Sequence, residues 1–246
     1  MKYPIGIQNF EDLRLNNYIY IDKTKYIYKL ANEGKYYFLS RPRRFGKSLL
    51  ISTIEAYFQG KRELFDGLAI QQEEKEWNSY PILHIDLNTA NFREEDSLYT
   101  LLNDYLCQWE SVYGTRESET TLALRFKGIV ARIAQKEGKG VVILIDEYDK
   151  PILQTLQHPE LQDKHRNMLK AFFSVLKTQD KYIKFAFITG VTKFGKVSVF
   201  SDLNNLTDIS MDNRYVAICG LTEEELATNF KQGIEELAKT YGDTIE

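Results

Sequence analysis

Phe38-Leu39-Ser40-Arg41-Pro42-Arg43-Arg44-Phe45-Gly46-Lys47-Ser48, read with Val141-Val142-Ile143-Leu144-Ile145-Asp146-Glu147 further down the chain, decides the fold. The first stretch is an apolar strand running into Gly-Lys-Ser and then into a segment of helical composition, Ser48–Gln59. A phosphate loop has the pattern Gly, four residues, Gly-Lys-Ser/Thr in that strand–loop–helix setting. Here Arg41 stands where the first glycine belongs, and Pro42 stiffens the loop and removes one amide donor. Amides around Phe45–Ser48 point out of a helix N-terminus and favour a bound anion. The candidate cofactor-binding set is therefore Arg41, Arg43, Arg44, Phe45, Gly46, Lys47, Ser48 and Leu49. Lys47 is expected to reach the β and γ phosphates and Ser48 to ligate Mg²⁺. Four cationic side chains, Arg41, Arg43, Arg44 and Lys47, would repel one another without a polyanion nearby.

The second stretch is a β-branched run that exposes Asp146 at its C-terminal end, where open α/β sheets bind ligands. Asp146 is the candidate metal residue beside Ser48, since Mg²⁺ keeps several waters and takes few carboxylates. Glu147 is the candidate catalytic base that orients the attacking water. Asp149 has two readings, a carboxylate supporting the metal ligands or a solvated loop charge. The bland alternative for the whole stretch is a strand followed by an acidic turn.

Working outward, five apolar runs read as strands: Tyr36–Leu39, Ile82–Leu87, Val141–Ile145, Ile183–Ile188 and Tyr215–Cys219. Most lack polar alternation, which suits strands covered on both faces. Glu95–Trp109, Thr121–Glu137 and Leu161–Lys177 carry apolar residues at helical spacing and are long enough to be crossovers. The expected fold is α/β: a three-layer P-loop NTPase sandwich on a five-stranded parallel sheet of the additional-strand type. Ile188-Thr189-Gly190 ends a strand in small and hydroxyl residues, and Thr189 is the third catalytic candidate, touching γ-phosphate or water, with Thr192 next. Lys193 and Lys196 are candidates for added positive charge there; a plain Thr-Gly turn with solvated lysines reads equally well. Arg214 has two readings, a finger residue or, the better of the two, a surface arginine before a strand. Tyr20 either stacks on a base or packs on the core. Asp22 and Thr24 look like turn and N-cap residues of a helix at Lys25–Ala31. After Gly220, Thr222 and Glu225 form a capping box. The division expected is 1–220 as the ATPase domain and 221–246 as the start of a truncated helical lid or C-terminal region.

The chain has 246 residues, 43% hydrophobic and 27% charged, with net charge −3. It is no polycation, so nucleic acid would need a local basic patch. Cys107 and Cys219 form no metal pattern or disulfide framework, and Cys219 reads as a buried small hydrophobe. His84, His158 and His165 show no ligand spacing, and His84 reads as a satisfied core residue. No run approaches the ~20 apolar residues of a membrane helix, so no membrane partner and a cytoplasmic location are expected.

A wider set of residues carries a resemblance. Tyr20-Ile21-Asp22-Lys23-Thr24, the loop from Phe38 to Ser48, Leu144-Ile145-Asp146-Glu147-Tyr148-Asp149-Lys150-Pro151, Ile188-Thr189-Gly190-Val191-Thr192-Lys193-Phe194, Asn204-Asn205-Leu206-Thr207-Asp208-Ile209 and Gly220-Leu221-Thr222-Glu223-Glu224-Glu225 together resemble the bacterial AAA-ATPase-like proteins. The likeness runs from about residue 4 to 230. It implies ATP and Mg²⁺ as cofactors, and arginine at the first loop glycine is that family's own habit. It also implies a C-terminal nuclease-like domain of the PD-(D/E)XK type, which this chain stops before, and through it nucleic acid as a partner. The expected function is Mg-dependent ATP binding with slow hydrolysis. Two other readings stay open: a nucleotide-binding switch without appreciable turnover, and a nucleic-acid binder whose basic loop contacts backbone phosphates. Oligomeric state is left open, a homo-oligomer included.

Overall fold

The structure is a computed structural model that describes residues 2–193, 199–201 and 203–241. Its sheet holds β1 (Tyr36–Ser40), β2 (Ile82–Asp86), β3 (Val141–Asp146), β4 (Ile183–Gly190) and β5 (Thr207–Asp208) in the order β2-β3-β4-β1-β5, all parallel. β4 lies between β1 and β3, so the additional-strand arrangement expected above is the one formed.

Burial explains the missing polar alternation. In β3, Val141, Ile143 and Ile145 face one core and Val142 and Leu144 the other. A strand points alternate side chains to opposite faces, so both faces must be covered. One face takes the helices Ser97–Tyr113, Leu122–Glu137 and Pro159–Phe173, with Phe126 stacked on Phe172 at 4.4 Å between ring centres. The other takes Thr24–Glu33 and Lys47–Phe58, where Phe58 meets Phe185 of β4 at 4.9 Å. Local signals set the helix ends. Thr121 caps the helix that follows it by accepting the amide of Leu124, and Thr222 and Glu225 form the expected capping box at Glu223–Asn229. Asp22 accepts the amide and hydroxyl of Thr24 at the start of Thr24–Glu33, although Lys23 occupies the cap position.

One strand was misplaced by sequence. Tyr215–Cys219 forms no strand: Asn213–Tyr215 is a 3₁₀ turn and the segment stays irregular. Tyr215, Ile218 and Cys219 are apolar because they pack on the face that holds Tyr37, Leu39 and Leu50. The fifth strand is the two-residue Thr207–Asp208, pairing Tyr37 and Phe38. A pair so short gives no apolar run to read. Lys196 and residues 242–246 lie outside the described residues.

Candidate functional site

The parallel register aligns the strand ends that matter. Leu39 pairs with Thr189, Ser40 with Gly190 and Asp86 with Asp146. The Arg41–Ser48 loop, the carboxylate turn and the end of β4 therefore share the C-terminal edge of the sheet. The loop closes on Gly46 at φ 83°, a left-handed conformation that glycine adopts without strain, and the helix begins at Lys47.

Lys47 is 4% exposed. Its Nζ donates to the carbonyls of Arg41 (3.1 Å) and Pro42 (3.2 Å) and lies 3.3 Å from Oε1 of Glu147. The Ser48 hydroxyl donates to Oδ2 of Asp146 at 2.7 Å. Loop and turn thus meet side chain to side chain. Among the described residues no cluster of three or more His, Cys, Asp or Glu side chains could hold a metal ion. A hydroxyl beside one carboxylate is the donor set that suits Mg²⁺, which relies on phosphate oxygens and water for the rest.

Thr189 sits behind this pair. It is fully buried, its hydroxyl donates to Oδ1 of Asp146 and accepts the amide of Glu147 at 3.2 Å. That hydroxyl is committed to the two carboxylate residues. Arg41 departs from expectation. Its Nη1 donates to the carbonyls of Ser210 (2.5 Å) and Ser40 (3.1 Å), so the guanidinium ties the loop to the segment after β5. Arg43 and Arg44 are exposed, and Phe45 is 45% exposed at the loop tip. Lys193 pairs with Asp208 at 3.2 Å, and Arg214 with Asp212 on the surface.

Beside Gly46 opens a cavity of about 350 Å³ lined by Ile19, Tyr20, Leu49, Ile218, Cys219 and Phe230, with Arg44, Phe45 and Leu50 also at its wall. Tyr20 lines it while packing edge-on against Phe10, 5.0 Å between ring centres, as its core-packing reading expects. Burial holds the Tyr20 hydroxyl well above the ordinary tyrosine range and pushes the Cys219 thiol up to about 12. Buried Lys23 pairs with Glu225, bridging the segment before β1 to the capped helix Glu223–Asn229.

Residues 4–200 match the family described as "Predicted AAA-ATPase". The chain belongs to this family. It is also 40% identical over 230 residues to a protein of Azotobacter chroococcum mcd 1 described as "Uncharacterized protein in vnfD 5'region". That alignment covers 93% of this chain and 45% of the relative, so the chain spans about half the relative's length. Among the described residues no helix is long and apolar enough to cross a membrane.

Two residues of this family member were missed or left undecided by sequence. Asp149 is 1% exposed, so it is no solvated loop charge: it accepts the amides of Val191 (3.1 Å) and Thr192 (2.7 Å) and the Thr192 hydroxyl (2.9 Å). Asp86 stands next to Asp146 across the sheet. Burial pushes its carboxyl above the usual range, the Asn88 amide opposes, and the charge of Asp146 pushes the same way as burial. His84 is half satisfied: Nδ1 lies 3.0 Å from Glu55, and buried Nε2 has no partner among the described residues.

Proposed function

We propose that the chain binds Mg-ATP where loop and turn meet and hydrolyses it. The observation that carries the reading is the convergence of Lys47 on Glu147 and of Ser48 on Asp146 from segments a hundred residues apart in the chain. Lys47 and the amides from Phe45 to Ser48 hold the phosphates. Ser48 and Asp146 would hold the magnesium ion, which when bound neutralises charge on the phosphate oxygens. Glu147 takes the proton of the attacking water, a role worth about 10²–10⁴-fold in rate. Thr189 is a positioning residue that orients Asp146 and the Glu147 backbone. The cavity beside Gly46 is lined largely by apolar side chains and suits a base, with Tyr20 as one wall.

The test is phosphate release and binding of a fluorescent ATP analogue by wild type, Lys47→Ala and Glu147→Gln. Binding lost in the first and turnover lost in the second support the reading; equal turnover in all three removes it. A second reading is favoured by one observation. Arg41 stands in the first-glycine position with its guanidinium on the Ser210 carbonyl, so the loop's cradle departs from the full pattern, as a binding switch without turnover would allow. Tight binding without phosphate release decides for that reading. A boundary at Gly220 between the sheet domain (1–220) and the helical segment (221–246) fits the capped helix that starts at Glu223. The link to nucleic acid rests on the family resemblance alone and is tested by salt-dependent DNA affinity that ATP does not compete away.

A further inference from the structure

Glu147 has φ 54°. A non-glycine residue in the left-handed region is uncommon and persists where surrounding structure over-determines it. Here the surroundings are a set of hooks between residues 146–149 and 189–192. Asp146 takes the Thr189 hydroxyl, the Glu147 amide donates to Thr189 Oγ1 (3.2 Å) and the Tyr148 amide to the Thr189 carbonyl (3.0 Å). The Tyr148 hydroxyl donates to the Thr192 carbonyl (3.3 Å). Asp149 closes the set by accepting the amides of Val191 and Thr192 and the Thr192 hydroxyl. Gly190 is required for closure, since a Cβ there would lie 2.5 and 2.8 Å from carbons of the Tyr148 ring.

Asp149 anchors the far end of the turn with its carboxylate, beyond the hook that the Tyr148 hydroxyl makes on the Thr192 carbonyl. The three hooks at Thr189 lie just before the strained residue, at it, and one step past it. Without Asp149, the turn keeps the Tyr148 hooks but loses the bonds from Val191 and Thr192, and Glu147 is less constrained against relaxing to φ below zero. Its carboxylate, now 3.3 Å from Lys47, would swing away from where the γ-phosphate belongs.

We propose that Asp149 is a positioning residue for Glu147. By binding the two amides after Gly190 it clamps the carboxylate turn to the end of β4 and keeps the base aimed at the phosphate end of the site. The inference rests on the hydrolytic reading above, and it assigns no contact between Asp149 and nucleotide.

The experiment uses the full chain and compares wild type, Asp149→Ala, Asp149→Asn, Glu147→Gln and the double variant Asp149→Ala/Glu147→Gln. Steady-state phosphate release, affinity for a fluorescent ATP analogue with Mg²⁺, and thermal unfolding are measured on each. The expected result for Asp149→Ala is a kcat at least about tenfold lower with KM and analogue affinity within about twofold, because the lost term is base alignment. Asp149→Asn keeps one acceptor oxygen and its kcat falls between wild type and Asp149→Ala, which keeps the test readable where the alanine variant unfolds. In the double variant the residual rate equals that of Glu147→Gln, since a residue acting through Glu147 has nothing left to position. Additive losses, or a wild-type kcat in Asp149→Ala, overturn the inference while leaving the hydrolytic reading intact. A wild-type chain that binds the analogue and releases no phosphate overturns that reading and the inference with it.

Discussion

Replacing Thr189 with valine tests how much of the site's order hangs on one hydroxyl. Valine is close to isosteric with threonine and leaves the strand propensity unchanged. Thr189 is fully buried, so water cannot stand in for what is removed. Two interactions go at once: the bond to Oδ1 of Asp146 and the one from the amide of Glu147. A hydrogen bond to a charged group is worth about 1.5–3 kcal/mol, and a buried amide left without a partner costs about 1–3 kcal/mol. Both run through the same atom and are not additive, so the expected loss is about 3 kcal/mol, a large fraction of a typical 5–15 kcal/mol stability. With a urea m-value of about 3 kcal/mol/M, the unfolding midpoint falls by about 1 M.

Thr189→Ser is the control. It keeps the hydroxyl and loses one buried methyl, which costs about 1 kcal/mol. The assay is urea unfolding of the three chains followed by fluorescence, with phosphate release measured on the same preparations. The serine variant is expected to retain most turnover and the valine variant to lose it, because Asp146 and Glu147 both lose their orientation. A valine variant no less stable than the serine variant refutes the reasoning, since the hydroxyl would then carry neither carboxylate nor amide.

The remaining predictions use other parts of the molecule. Asp86→Asn should raise the urea midpoint at pH 7, because burial favours the neutral acid and the wild-type carboxylate is destabilising there. A carboxyl with a raised folded pKa contributes stability below its ordinary value of 3.8 that is lost as pH rises, so the gain must vanish toward that pH in a pH series of unfolding curves. His165 is fully buried with neither ring nitrogen partnered among the described residues, and burial lowers its pKa from 6.5. Its neutral form is the one that folds, so stability is full above 6.5 and falls below it, and His165→Gln should flatten that acid limb. Phe126→Ala removes a ring stacked 4.4 Å from Phe172 and should cost about 3–5 kcal/mol by urea unfolding, with analogue affinity unchanged in the folded fraction.

What sequence revealed and what it hid divide along one physical line. Val141–Asp146 was readable because a strand buried on both faces must be apolar at every position, and because a carboxylate at its end breaks that run visibly. Gly46-Lys47-Ser48 was readable because its chemistry is local: a left-handed glycine, an ammonium and a hydroxyl in consecutive positions. Tyr215–Cys219 was misread because burial makes a segment apolar whether it pairs in a sheet or only lies against one. Thr207–Asp208 was missed for the converse reason, since backbone pairing at an edge asks nothing of the side chains. Asp149 was undecidable because two of its partners are the amides of Val191 and Thr192, which have no letter in the sequence, and the third, the Thr192 hydroxyl, is brought to it by the fold. Thr189 shows the intermediate case. Its position at a strand end was legible, but the register that sets Leu39 beside Thr189 and Asp86 beside Asp146 is a property of the folded sheet. That register turns the hydroxyl toward Asp146, where it supports the two carboxylate residues. The two carboxylates of the turn thus depend on β4 for their aim, which is why the variants at Thr189 and Asp149, on opposite sides of Glu147, should converge on the same defect: nucleotide held, base misdirected.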